Sequence, residues 1–381
     1  MTILLFSLTF FLLFLAYERV VLNKLRRSIP MVIAVTGTRG KSSVVRMLAS
    51  VLRESGRRVL AKTTGSQAQL VLPDGTIQDI PRRGIVSILE QKKVLHAAAE
   101  FHVDCIVVEI MSIRAENHLV ESQQILKPDI VVVTNVRRDH VEAMGETEQE
   151  IATVLRNDFT PGCTVYVPEE YAPLLVSSQP RNETIKMRLV RNENTQERAT
   201  EFAENLNLVA AVSKDLGVAD DVVDRGIQHA RHDIGRLRIW KHTIRGKSVY
   251  LVNAFAANDP DSTMIIYHKV AHALSAAPSS FTGLLNLRQD RPDRTLQWIE
   301  ALKRNSAILF KDIYAIDGHS QVVRRRVKTV SLLPRMDADE LTGNLIDNMR
   351  EGDVLFGFGN IGGMGQSLVE HWQRVGSEYG I

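Results

Sequence analysis

The sequence predicts an α/β fold: a nucleotide-binding domain on a parallel sheet, then a smaller Rossmann-like α/β domain, behind one membrane-spanning helix. Three observations carry that expectation. Strand-like apolar runs alternate with helix-period segments almost throughout, the pattern of parallel sheets with helical crossovers. The run Met31–Val35 passes straight into Thr36-Gly37-Thr38-Arg39-Gly40-Lys41-Ser42-Ser43 and then into the helical pattern Val44–Leu52, the signature of a phosphate-binding loop. Ahead of it, Met1–Tyr17 contains no charge. At 381 residues the chain can bury two sizeable cores.

Taken in order, the apolar run resumes at Val20–Leu22 and so lies near the lower limit for a bilayer span. A cleavable signal would want a basic start and a small-residue cleavage site, and neither is present. Arg19, Lys24, Arg26 and Arg27 follow the run and place its C-terminal side in the cytoplasm. The expected layout is an anchor over 1–22, an ATP-binding domain over 23–235 and a C-terminal domain over 236–381. After the loop helix, Gly56 reads as a C-cap and Arg58–Lys62 as a strand. Val71–Gly84 is a loop or hairpin and Ile85–Phe101 a helix. Asp104–Ile110 and Asp129–Thr134 are buried strands ending at Glu109 and Asn135. Glu148–Leu155 is helical, Thr164–Val167 and Thr184–Val190 are strands, and Ala199–Leu216 with Asp220–Ala230 form a helical pair.

Periodicity breaks at Arg231–Leu237 and restarts beyond it. Val249–Val252, Leu284–Leu287, Ile313–Ile316, Val327–Val330 and Val354–Phe356 read as strands. Ser262–Leu274, Thr295–Arg304 and Ala338–Met349 read as helices, and a last helix follows Gly357–Gly363. The net charge of +3 is too small for a nucleic-acid binder, and Arg324-Arg325-Arg326 reads as a solvated cluster. Of two cysteines, Cys105 falls inside a strand, which suits a buried free thiol in a reducing compartment.

Ligands of open α/β sheets bind beyond the carboxyl ends of the strands, where three useful features converge. In the loop, Gly37, Thr38, Arg39, Gly40, Lys41, Ser42 and Ser43 would hold polyphosphate, with Lys41 neutralising charge and the Ser42 hydroxyl on Mg²⁺. A strict motif would have glycine at 35, where this chain has valine. Glu109 is a natural second oxygen ligand for that ion. His140, after Asp139, is either a further metal ligand or a helix-capping histidine.

In order and spacing these motifs resemble the Mur ligase superfamily, whose members join an amine to a carboxylate through an acyl phosphate. The resemblance implies a Mur-ligase-like central domain, with Asn205 (or Asn207) at the adenine and Arg236 at the phosphates. Asn253 stands where the family has a ribose-binding aspartate. Glu109 and His140 would hold metal, although the lysine that many relatives carbamylate for a second Mg²⁺ is missing, with Leu155-Arg156 in that region. Nor is there room between the apolar run and the loop for a peptidoglycan-precursor domain. The anchor, Lys62-Thr-Thr-Gly-Ser66, Asn253–Asp259, Asn286–Arg291 and Gly357–Gly362 resemble one subfamily, the ligase subunits of poly-γ-glutamate synthases (PgsB/CapB type).

That resemblance implies ATP-dependent glutamate polymerisation, with ATP and Mg²⁺ as cofactors and small membrane subunits as partners. A homo-oligomer stays open. Its substrate residues would be Lys62, Asn258, Asp259, Arg288, Arg291 and Arg294, the arginines suiting carboxylates and phosphates. On the residues alone, Lys62 could equally sit exposed, the arginine group could be an ion-pair network at a helix start, and Gly357–Gly363 could be a simple turn. Two other outputs stay open: a ligase for another amino acid, and an ATPase that gates or scaffolds polymer export.

Overall fold

The computed structural model describes residues 2–65, 68–81, 86–176, 185–192, 203–230, 234–244, 246–277, 280–304 and 310–379. They form two compact units, the first running to residue 230 and the second starting at 234.

The first unit is built on eight strands: Met31–Thr36 (β1), Val59–Thr63 (β2), Gln69–Val71 (β3), Ile77–Asp79 (β4), Cys105–Glu109 (β5), Ile130–Val133 (β6), Thr164–Pro168 (β7) and Lys186–Val190 (β8). Their spatial order is β4-β3-β2-β5-β1-β6-β7-β8, with β3 and β4 antiparallel and the rest parallel. The central strands are Val/Ile runs with no exposed residue, as strands covered on both faces must be. Ile33, Val107 and Val132 pack with the helices Lys41–Glu54, Ala203–Asp215 and Asp220–His229. Gly226 permits that packing, since a Cβ there would lie 2.4 Å from the Val51 Cα. Val32, Ile106 and Val108 pack on the other face with the helix Glu90–Glu100.

The N-terminal helix, Thr2–Arg27, is long and apolar enough to cross a membrane. Most of its side chains up to Tyr17 are exposed. Its last turns are not: Leu22, Leu25 and the following Ile29 join the β1–β5 core. Polar contacts fix them there. Arg26 donates to the carbonyls of Leu126 (2.7 Å) and Lys127 (2.8 Å) and to Asp129 (2.7 Å), while Lys127 donates to Asn23 (2.6 Å).

The second unit carries Arg238–Ile244 (β9), Lys247–Asn253 (β10), Phe281–Asn286 (β11), Asp312–Ile316 (β12), Val330–Leu332 (β13), Val354–Phe358 (β14) and Ser377–Glu378 (β15). The order is β13-β12-β11-β14-β10-β9-β15, the last two antiparallel to their neighbours. Aromatic residues fill both faces. Trp298 meets Phe358 on one, and Phe255 stacks on Trp372 on the other.

Some expectations need correction. Both sheets are mixed: in the first, β3 pairs antiparallel with β2 and β4, and in the second β9, just past the break at Arg231–Leu237, pairs with β10 as a hairpin. The expected helix Ile85–Phe101 begins at Glu90, with Ser87 capping the Leu89 N–H instead; residue 85 lies outside the described residues. So do Thr184 and 199–202, at the starts of the expected strand Thr184–Val190 and helix Ala199–Leu216. The expected strand Val327–Val330 shifts to Val330–Leu332, because Ser320–Arg326 is a helix. Its three closing arginines suit the negative end of the helix dipole.

Candidate active site

The phosphate-binding loop joins β1 to a helix of 14 residues that opens at Lys41. The N-cap residue Gly40 has no side chain to cap that helix, so the N–H groups of its first turn can take an anion. Gly37 and Gly40 have φ of 119° and 81°. A Cβ at Gly37 would lie 2.3 Å from Thr134 Oγ1, and one at Gly40 would lie 2.7 Å from Asn205 Oδ1. Both glycines are therefore demanded by conformation and by close approach. Lys41 Nζ bonds the Gly37 carbonyl at 2.7 Å, curling back over its own loop.

Asn135, at the end of β6, clamps the loop. Its Oδ1 accepts from Thr38 Oγ1 (2.7 Å) and the Arg39 N–H (3.0 Å), and its Nδ2 donates to the Arg39 carbonyl (3.1 Å). Asp139 extends the clamp by pairing with Arg39 (3.4 Å) and accepting the His140 N–H (2.7 Å). His140 itself sits at φ 46° at the start of a short helix, its ring 3.8 Å from Asp139.

Ser42 donates to Glu109 Oε2 at 2.8 Å, and the Thr64 N–H reaches the same oxygen at 2.7 Å. Two hard oxygens side by side at a phosphate loop fit Mg²⁺, which takes few protein ligands and completes its shell with phosphate and water. Among the described residues no three His, Cys, Asp or Glu groups converge as a metal cage, in keeping with so sparse a site.

Behind Glu109 lies a buried polar network that the sequence reading missed. Gln91 Nε2 bridges the Glu109 carbonyl (3.2 Å) and Glu121 (2.7 Å), and Glu121 accepts the N–H groups of Met111 (3.1 Å) and Ser112 (3.0 Å). Burial pushes the Glu121 carboxyl up, against the pull of these donors. Beside it, Asp158 accepts from Thr36 (2.6 Å), Ser122 (2.7 Å) and His118 (2.9 Å). Burial opposes a charge on His118, but Asp158 outweighs it and its pKa is raised. On sequence alone these residues look like ordinary solvated helix positions.

The remaining candidates divide. Asn205 is buried against Gly40, whereas Asn207 pairs with Asn192 (2.9 Å), so Asn205 is the one beside the loop. Lys62 is fully buried, paired with Glu90 (3.3 Å) and near Met111 Sδ (3.3 Å), which overturns its reading as an exposed lysine. Ser43 is in the first turn of the loop helix.

In the second unit, Asn253 is fully buried and its amide bonds the carbonyls of Ile234 (2.8 Å) and Arg236 (2.9 Å), tying down the stretch before β9. That arrangement leaves it no exposed surface for a ribose. Asp259 caps the helix Pro260–Leu274, accepting the Ser262 N–H at 2.9 Å, and Asn258 sits half-buried just before it. Arg294 is buried in the helix Pro292–Lys303, which Arg291 opens. Arg288 pairs with Asp290 through two bonds of 2.8 and 2.6 Å, and this much of the ion-pair network is present. Arg288 also lines a cleft of about 400 Å³ with Gln289, Asp317, Gly318, Gly362 and Gly363 at the carboxyl ends of β11, β12 and β14. The glycine turn after β14 is held by Asn286, which donates to the carbonyls of Asn360 and Gly362.

Comparison with known proteins gives this geometry a family setting. The Mur ligase middle domain matches residues 35–156, and the poly-gamma-glutamate synthase CapB C-terminal domain matches residues 239–375. The chain is 26% identical to the capsule biosynthesis protein CapB of Bacillus anthracis, over 95% of this chain and 80% of that one. It is 26% identical to the PGA synthase CapB of Bacillus subtilis, over 90% of each chain. Among solved structures, its fold is shared by a bifunctional folylpolyglutamate synthase/dihydrofolate synthase with Mn, AMPPNP and L-glutamate bound. The TM-score is 0.66 and the identity 13%, over 94% of this chain and 92% of that one.

Proposed function

We propose, for a chain that joins a Mur ligase middle domain to a CapB-type C-terminal domain, that it is an ATP-dependent ligase extending poly-γ-glutamate. The observation that carries this reading is the pairing of Ser42 and Glu109 at 2.8 Å beside a loop whose glycines cannot be replaced without collision. The names of the two relatives support the product, and the ligands of the folylpolyglutamate synthase support ATP and glutamate as reactants.

In the proposed reaction a carboxylate oxygen of the acceptor attacks the γ-phosphorus of ATP, giving an acyl phosphate and ADP. The amine of the incoming glutamate then attacks the acyl carbon, phosphate leaves with the bond electrons, and the amine gives up a proton. The loop N–H groups and Lys41 hold the phosphates, and Arg236 adds charge as the resemblance implies. Ser42 and Glu109 hold Mg²⁺, which neutralises phosphate charge when bound. Asn135 fixes the loop, and Asn205 serves the adenine side. His140 orients through Asp139 or holds a second ion. Arg288, Arg291 and Arg294, with Lys62, Asn258 and Asp259, are the substrate candidates.

The apolar segment within residues 1–22 anchors the protein in the cell membrane by a single pass, with residues 23–235 and 236–381 as its cytoplasmic domains. Small membrane subunits would complete an export complex. The test is vesicle-bound protein given ATP, Mg²⁺ and labelled glutamate. Glutamate-dependent ADP release with γ-linked product is expected. ADP release indifferent to every amino acid would overturn ligation in favour of an ATPase, and release driven by a different amino acid would overturn the substrate.

A further inference from the structure

The N-terminal helix runs antiparallel to β1 and spans the height of the sheet. At the amino ends of the strands Arg26 bonds Leu126, Lys127 and Asp129, and Asp129 also takes the Val32 N–H at 2.8 Å. Eight residues earlier in the chain, Glu18 bonds Lys92 in the first turn of the helix Glu90–Glu100. That turn stands at the carboxyl ends. Glu90 pairs with Lys62 near the end of β2, and Gln91 donates to the carbonyl that closes β5. Eight helical residues rise about 12 Å and the four steps of β5 about 13 Å, so the two levels agree.

Everything before Glu18 therefore projects past the carboxyl edge of the sheet. Residues 2–17 add about 24 Å of charge-free helix in that direction. The edge they pass carries the phosphate loop, Glu109 and Asn135. A second observation lies on the same edge. Outside the N-terminal helix, the large apolar side chains exposed among the described residues of the first unit are Val86, Leu89, Ile113, Leu119, Val176 and Leu189. The first four fall just before Glu90 or within ten residues after β5, with Lys93, Arg114 and Glu116 exposed among them, while Lys92 is paired with Glu18. Apolar side chains mixed with cations suit the headgroup layer of a bilayer that carries anionic lipid.

We infer that the carboxyl edge of the first unit's sheet faces the membrane, held by the anchor and by a second contact beside the start of the helix Glu90–Glu100. In that contact Val86, Leu89, Ile113 and Leu119 enter the headgroup layer, and the exposed Lys93 and Arg114 meet anionic lipid. The inference rests on the anchor reading given above and deepens it by assigning the partner of this face. The product chain is then released at the membrane surface, where the step that consumes it is translocation across the bilayer.

Site-directed quenching tests it. Cys105 and Cys163 are both buried, so one exposed cysteine takes a fluorophore selectively. Leu89→Cys and Ile113→Cys report the carboxyl edge, and Glu100→Cys and Ser55→Cys the amino edge. The full chain is placed in vesicles of phosphatidylethanolamine and phosphatidylglycerol doped with a lipid bearing a nitroxide headgroup. Severalfold stronger quenching at the first pair is expected, with further loss of signal contrast when phosphatidylcholine replaces phosphatidylglycerol. Equal quenching at the two edges, or stronger quenching at Glu100→Cys and Ser55→Cys, in protein that resists alkaline carbonate extraction would overturn the orientation alone. Quenching that ignores the lipid exchange would overturn the charge contact. Extraction of the chain by carbonate would overturn the anchor and the orientation together.

Discussion

Lys41 bonds a carbonyl of its own loop, so a nucleotide must exchange that 2.7 Å contact for phosphate oxygens. Replacing it should leave the fold intact and remove charge from the reacting phosphate. Lys41→Ala is expected to lower glutamate-dependent ADP release by about 10²–10³-fold, with circular dichroism and melting unchanged. The His118–Asp158 pair makes a different kind of statement. Its His118 pKa is raised in the folded chain, so the pair's contribution is full below about pH 6.5 and fades as pH climbs through the native value. Asp158→Asn removes one partner of a buried pair and should cost about 3–5 kcal/mol near pH 6, with a smaller deficit near pH 9, read as the gap between denaturation midpoints. The sequence shows Lys41, Glu109 and Asn135 because each closes an apolar strand or a glycine loop. It hides His118, Glu121 and Asp158 because polar residues at helical spacing read the same whether they face water or a buried partner.

Single elements of both units show where local chemistry and inherited resemblance part company. Gly40 takes φ 81° with Asn205 against it, so Gly40→Ala strains the loop and pushes the asparagine away. A tenfold or greater rise in the Kd for ADP, about 1.4 kcal/mol, is expected by titration calorimetry. Asp259-Pro260-Asp261-Ser262 is a legible start signal, with a capping aspartate and proline in the first turn. Read through the resemblance it becomes a substrate motif, whereas the geometry gives Asp259 the Ser262 N–H. Asp259→Ala should lose about 0.5–2 kcal/mol of stability, and Asp259→Ser should restore it. Activity that returns with Asp259→Ser makes the residue a cap; activity that stays low makes its carboxylate a substrate contact as well. The hairpin of β9 and β10 is the element least visible beforehand. Antiparallel pairing depends on a short connection between neighbouring strands and not on the strand–helix rhythm that reveals the parallel strands.

Over the whole chain, the two-part α/β plan is legible because parallel strands buried on both faces leave near-continuous apolar runs. How the N-terminal helix meets the first unit is not, since an amphipathic end looks like any flank of an apolar helix. The helix divides at Glu18 between exposed and docked residues. Removing residues 1–17 should therefore give a chain that leaves the membrane fraction yet binds ATP and melts as before. Removing residues 1–29 strips Leu22 and Ile29 from the core, at about 1.5–3 kcal/mol each, along with the Arg26 contacts, and should lower the melting temperature by several degrees or abolish folding. Mechanically, the same docking decides how load is borne. A force that draws the apolar segment along its axis acts on Arg26, Asn23 and the leucine contacts side by side, because they line the direction of pull. They share the tension as a lap joint does and do not peel one after another. A pull along the anchor is thus met at several points of the first unit at once and not at a single contact.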